Sequence, residues 1–182
     1  MKIAIIVGSL RNGSYNHMLA RELAVRLPGE TGVEWLELSE VPFMNEDLEA
    51  EVPEVVQVAA QQVAEADGVL IVSPEYNRGI PAVTKNIVDW LSRPSTGHSL
   101  KGKPVAIAGI SSGPIKTMVM QSQLRPVLAH TQAVVLTAPV IALTVGNDNM
   151  TAYGGVSDVT ARHLDVYIAA FMAHVERYTE RV

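Results

Sequence analysis

A doubly wound α/β fold with a parallel sheet is what this sequence predicts. Three observations carry the prediction. Short β-branched runs alternate with segments of helical periodicity. Most of these runs are continuously apolar, as strands buried on both faces should be. The chain has 182 residues, the usual size of one domain, so residues 1–182 are expected to form a single one.

Residues 3–7, Ile-Ala-Ile-Ile-Val, form the expected first strand. A helix is predicted over 14–27, where Leu19, Leu23 and Leu27 recur at helical spacing and Pro28-Gly29 stops it. Residues 33–38 alternate and read as the second strand; a polar loop through Pro42 and Asp47 follows. Pro53 opens a helix over 53–66, with Val55, Val56, Ala59, Val63 and Ala66 on its apolar side. The third strand is 68–72 and the third helix 82–91. Residues 93–99 form a loop and 105–109 the fourth strand. Pro126 should bend or break the helix over 118–130. Residues 133–137 are the fifth strand, 139–157 read as a long loop, and the last helix covers 158–178. Five strands, each followed by helix, imply right-handed crossovers with helices on both faces. They suit the flavodoxin-like strand order 2-1-3-4-5.

Composition narrows the function. Apolar residues make up 48% and charged residues 18%, enough apolar content for a sizeable core. Net charge is −5, from 14 basic and 19 acidic side chains, and no Lys/Arg cluster points to nucleic acid. There is no cysteine, which removes disulfides and thiol chemistry. No apolar run approaches the roughly 20 residues of a membrane span, so a cytoplasmic protein without membrane partner is expected. The five histidines, His17, His98, His130, His163 and His174, show no metal-ligand spacing, and no metal is expected. Asn147-Asp148-Asn149 reads as turn chemistry.

Two loops carry the chemistry. The first joins strand one to helix one and reads Gly8-Ser9-Leu10-Arg11-Asn12-Gly13-Ser14-Tyr15-Asn16. Gly8 and Gly13 let the backbone turn, while Ser9, Ser14 and Asn16 offer donors. Arg11 can clamp phosphate oxygens at a helix start that favours anions. An ordinary turn capped by Ser14 is the plain alternative. Neither G-x-x-x-x-G-K-[ST] nor G-x-G-x-x-G is present, so the loop suits a terminal monophosphate. The second loop, Ser73-Pro74-Glu75-Tyr76-Asn77, follows strand three. Its rigid Pro, carboxylate, aromatic face and amide suit a flat heteroaromatic ring. In the 2-1-3 order both loops face one crevice, and flavin mononucleotide (FMN) has both ends.

Here the sequence resembles the NAD(P)H-dependent FMN reductase family, flavodoxin-like enzymes that include quinone, azo-dye and chromate reductases. The likeness rests on Gly8-Ser-x-Arg11-x-x-Ser14-x-Asn16 and on Pro74-Glu-Tyr-Asn77 with Pro81, Lys85-Asn86 and Asp89-Trp90. Gly113, Gln121 and Leu124-Arg125 extend it. The resemblance implies that Ser9, Arg11, Ser14 and Asn16 bind the FMN phosphate, with Tyr15 in the same candidate set. It implies that Pro74, Glu75, Tyr76 and Asn77 pack around the isoalloxazine, and that Ser111 and Gly113 touch it from a third loop. It also implies a homodimer or homotetramer. The chain departs from the pattern at Gly79, Ala82, Thr84, Lys116, Thr117 and Val119, on the substrate side and the third loop.

The expected activity passes hydride from NADPH or NADH through FMN to free flavin, a quinone, an azo compound or an oxidised metal ion. A one-electron carrier or a non-catalytic FMN-binding module is the alternative. No side chain is assigned a catalytic role. Glu75 reads as a cap on the next helix or a partner of Arg78 ahead of a proton donor.

Overall fold

Six strands form one parallel sheet in the computed structural model, which describes residues 1–146 and 149–179. Asn147 and Asp148 of the expected turn lie outside the described residues. Strand β1 (Lys2–Val7) pairs with β2 (Gly32–Trp35) on one side and β3 (Gly68–Val72) on the other. Next come β4 (Pro104–Ser111) and β5 (Val134–Val135), giving the order β2-β1-β3-β4-β5. This is the predicted flavodoxin-like arrangement.

The pleat of β1 splits the core in two. Ile3, Ile5 and Val7 pack with helices α1 (Tyr15–Ala24) and α5 (Asp158–Thr179). Ala4 and Ile6 face the other way, against α2 (Glu54–Glu65), α3 (Ala82–Leu91) and α4 (Met118–His130). Ile3 to Val7 and the whole of β3 are buried. That is why these runs are apolar without alternation.

The fifth strand is where sequence and structure part. It is expected over 133–137, with loop beyond Pro139. The structure divides it: Val134–Val135 pairs with the start of β4, and β6 (Ile141–Thr144) pairs with Ala108 to Ser111 of the same strand. Pro139 has no N–H for a ladder, so the edge strand leaves β4 and returns after it. Helix α4 continues through Pro126 without a break. Pro126 and Ser122 are both exposed, so the Ser122 carbonyl left without its helical donor faces water. Strand β2 ends at Trp35; Leu36 still donates to Ile5 O at 3.0 Å before the chain peels away.

Close approach at the carboxyl edge needs two glycines. A Cβ on Gly8 would stand 1.9 Å from Thr84 Oγ1, and one on Gly109 would stand 2.3 Å from the Ser73 carbonyl oxygen. At Gly79 the nearest atom would be 3.5 Å away, an ordinary contact. Asn16 supplies a second tie. Its amide donates to Ile110 O at 2.9 Å, and its Oδ1 accepts from Ile110 N at 3.1 Å, fixing α1 to β4.

Gly109→Ala should therefore lower stability by about 1–3 kcal/mol in urea unfolding, as overpacking against backbone does. Gly79→Ala should change it little. Asn16→Ala should cost about 2–3 kcal/mol, because both Ile110 backbone groups lose their partner in the interior. A neutral Asn16→Ala would contradict the strut.

Candidate active site

The loop after β1 is open backbone. Among the described residues, the amides of Ser9, Leu10, Arg11, Asn12 and Gly13 have no hydrogen-bond acceptor. Gly13 has φ +67°, the left-handed turn that a glycine takes without strain. Ser14 caps α1: its Oγ accepts from Asn16 N at 3.2 Å, leaving its O–H to point elsewhere. Ser9 is 4% exposed, and its hydroxyl has no partner among the described residues. Arg11 is exposed and makes no ion pair there; its guanidinium lies 5.0 Å from the Tyr15 ring centroid. Free amides, two hydroxyls and an unneutralised guanidinium at a helix start form an anion cradle.

Asn16 does not join that cradle with its side chain. The expected phosphate donor is 3% exposed, with both ends of its amide on Ile110. Two residues past the cap, it faces the sheet rather than the loop.

The loop after β3 closes as a tight hairpin. Tyr76 and Gly79 exchange backbone hydrogen bonds of 2.9 and 3.3 Å around Asn77 (φ 50°) and Arg78 (φ 62°). Two left-handed central residues make a type I′ turn, common with Asn first and unusual with Arg second. Helix α4 holds the turn in place. Gln123 Nε2 donates to Arg78 O at 3.0 Å, and Glu75 Oε2 accepts from Met120 N at 2.9 Å. Glu75 is thus a cap, as expected, but on α4 rather than on the helix that follows it, and it has no ion pair with Arg78. Tyr76, two residues beyond Pro74, stays 54% exposed.

The third loop is built around Lys116. Its φ of 61° is a backbone shape that glycine takes more easily. Ser111 donates its hydroxyl to Lys116 O at 2.7 Å, and Gly113 O accepts from Lys116 N at 3.1 Å. The Ser111 O–H therefore closes its own loop instead of facing outward. Thr117 is fully buried over Gly109. Thr84, under Gly8, shares a 2.7 Å hydrogen bond with Ser73 Oγ.

Other residues of the resemblance hold chain segments. Asn86 Nδ2 and Trp90 Nε1 both donate to Pro42 O at 2.9 Å, pegging the loop after β2. Gln121 donates to Ile141 O at 2.8 Å and Arg125 to Leu136 O at 2.7 Å, securing the divided strand. Gln123, His17, Arg21 and Glu37 were missed by the sequence reading. His17 and Arg21 lie one and two turns beyond Ser14, a spacing that signals one helix face. His17 Nε2 lies 2.9 Å from Ser9 O. Nothing local marks Gln123 or Glu37. Among the described residues, no three His, Asp or Glu side chains gather as a metal site.

Comparisons with known proteins identify the family. The family described as NADPH-dependent FMN reductase matches residues 1–148. The chain is 39% identical over 176 residues to a 2-hydroxy-1,4-benzoquinone reductase of a Burkholderia species, covering 96% of each. It is 35% identical over 182 residues to a quinone reductase of Escherichia coli K12, covering 97% of this chain and 96% of that one. A solved structure of FerB, a flavoenzyme NAD(P)H:(acceptor) oxidoreductase from Paracoccus denitrificans, superposes with a TM-score of 0.90. It is 34% identical and covers 97% of this chain and 98% of that one. With a matching profile over most of its length and relatives above 30% identity end to end, the chain belongs to the NADPH-dependent FMN reductase family.

Proposed function

We propose that this protein is an oxidoreductase that passes hydride from NAD(P)H through FMN to a quinone or flavin acceptor. The β1 loop would hold the phosphate, and the hairpin after β3 the ring. The observation that carries the reading is the loop of five unpartnered amides beside the unpaired Arg11. The residues fit the cofactor: Ser9, Ser14 and Arg11 supply donors for a dianion, and Tyr15 steadies the guanidinium by its ring face. Asn16 serves the same site from behind. Bound FMN supplies the hydride acceptor and donor; the chain binds and orients it. Pro74 and Tyr76 would border the ring, and the Asn77 turn, held from α4, would keep them at a fixed height. Donor and acceptor would use one face of the ring in turn. Gly113 and the Lys116 turn would close the far edge.

Assembly as a homodimer or homotetramer is part of the proposal, supported by exposed apolar side chains near the crevice: Phe43 at 77%, Leu10 at 51% and Met118 at 49%. Light scattering tests it. Helix α5 shares a core face with α1, which supports reading residues 1–182 as one domain. No helix of the described residues is long and apolar enough to cross a membrane. Together with the absence of cysteine, this supports the cytoplasmic reading.

Purified protein with FMN should consume NADH or NADPH when a quinone is added, followed by loss of reduced-nucleotide absorbance. Bound FMN with a stable one-electron state and no nucleotide consumption would point to an electron carrier instead. Arg11→Ala should weaken FMN by about 1.5–3 kcal/mol in a fluorescence titration, the loss of one charge-assisted bond. Glu75→Ala should lower stability by about 0.5–2 kcal/mol and reduce turnover as the hairpin loosens, whereas Glu75→Gln, which keeps an acceptor for Met120 N, should recover most of both. Turnover lost equally in both variants would make Glu75 a proton donor rather than a cap.

A further inference from the structure

One cavity is not accounted for by a monophosphate and its ring. It encloses about 390 Å³ and is lined by the β1 loop, by α1 and by residues 36–39 beyond β2. That size falls within the roughly 300–1,000 Å³ of ligand pockets. None of Pro74, Glu75, Tyr76, Asn77, Ser111 or Gly113 lines it. Strand β2 flanks β1 on the side opposite β3. The cavity therefore runs from the phosphate loop away from the ring.

Its lining is chemically mixed. Arg11 and Arg21 both border it, both are exposed, and neither has an ion pair among the described residues. One guanidinium suffices for a terminal phosphate; two suit a diphosphate. Glu37 stands on the far wall beyond the end of β2, one oxygen accepting from Ser39 N at 2.8 Å. The Ser39 backbone and side chain and the nearby His17 hold its carboxyl below the usual carboxylate range. A carboxylate there repels phosphate but accepts well from a pair of hydroxyls. Glu37 and Arg21 line one cavity without forming an ion pair, so neither charge neutralises the other. In doubly wound nucleotide-binding folds, an acid after the second strand accepts from ribose while phosphates sit at the first helix. The loop lacks the glycine fingerprint of such folds, so the sequence shows no sign of this; here two guanidiniums stand where close backbone approach would serve.

We propose that this cavity is a subsite for the adenosine diphosphate end of a dinucleotide, with Arg21 on the diphosphate and Glu37 on the ribose hydroxyls, while Arg11 keeps the phosphate next to the flavin, which in FAD is part of the same diphosphate. FAD and NADH share that chemistry. The inference rests on the flavin reading above for the position of the ring.

The test uses the full chain, with Glu37→Ala and Arg21→Ala; both sites are exposed, and thermal melting checks that the fold persists. FMN and FAD are titrated by flavin fluorescence, and kcat/KM is measured for NADH and NADPH. If FAD occupies the subsite, both variants weaken FAD by roughly tenfold or more, the effect of a charge-assisted hydrogen bond, and leave FMN nearly unchanged. If NADH occupies it, FAD is unmoved, and Glu37→Ala lowers kcat/KM for NADH by a similar factor while NADPH gains relative to it. The proposal is overturned if neither FAD affinity nor NADH kinetics moves, or if FMN and FAD weaken together. Wild-type protein that fails to bind FMN at all would defeat the flavin reading itself, a separate outcome.

Discussion

Two glycines let three strands crowd together at the edge that carries the site. Gly8 N donates to Val72 O at 2.9 Å and Ser73 N to Ala108 O at 3.0 Å, so the ladders of β1, β3 and β4 continue into their loops. Gly109 lies against the Ser73 carbonyl, and Gly8 lies over the Ser73–Thr84 hydroxyl pair. A side chain at either position would force the strands apart. The anion cradle and the hairpin after β3 would then lose their positions at neighbouring strand ends. Ligand sites of open α/β sheets sit at this edge because the loops there belong to neighbouring strands while their chain connections lead away.

Polar residues around the crevice divide by direction. Asn16, Glu75, Ser111 and Gln123 turn toward the protein, each closing a backbone group of a different element. Arg11 and Tyr76 are exposed, and the buried Ser9 hydroxyl has no partner among the described residues. The first set keeps three loops at fixed heights; the second would meet the ligand in the proposed function. Such a division suits a cofactor that brings its own chemistry, because the protein then has only to hold position and supply charge. It also accounts for a motif in which several polar residues never reach the cofactor side of their loops.

Charge follows the same logic. The protein as a whole is acidic, at −5. The β1 loop and the helix after it are locally cationic, because Arg11 and Arg21 have no ion pair among the described residues, unlike Arg93 with Glu49 or Lys85 with Asp89. A focused positive potential on an acidic surface draws an anion to one place and discourages polyanions elsewhere.

Strand and helix periodicity and the two loops at neighbouring strand ends were legible in the sequence, because each depends on residues close in the chain; the end of α1 was not, since the helix stops at Ala24, ahead of Pro28-Gly29. The parallel order followed from their alternation. What the sequence could not assign was the partner of a polar side chain. Asn16 reaches Ile110 across 94 positions and Glu75 reaches Met120 across 45. Whether an amide faces a ligand or a strand depends on which element the fold packs behind it. The divided fifth strand belongs to the same class: Pro139 announces a break, but only β4, long enough to accept pairing at two places, decides that the chain comes back.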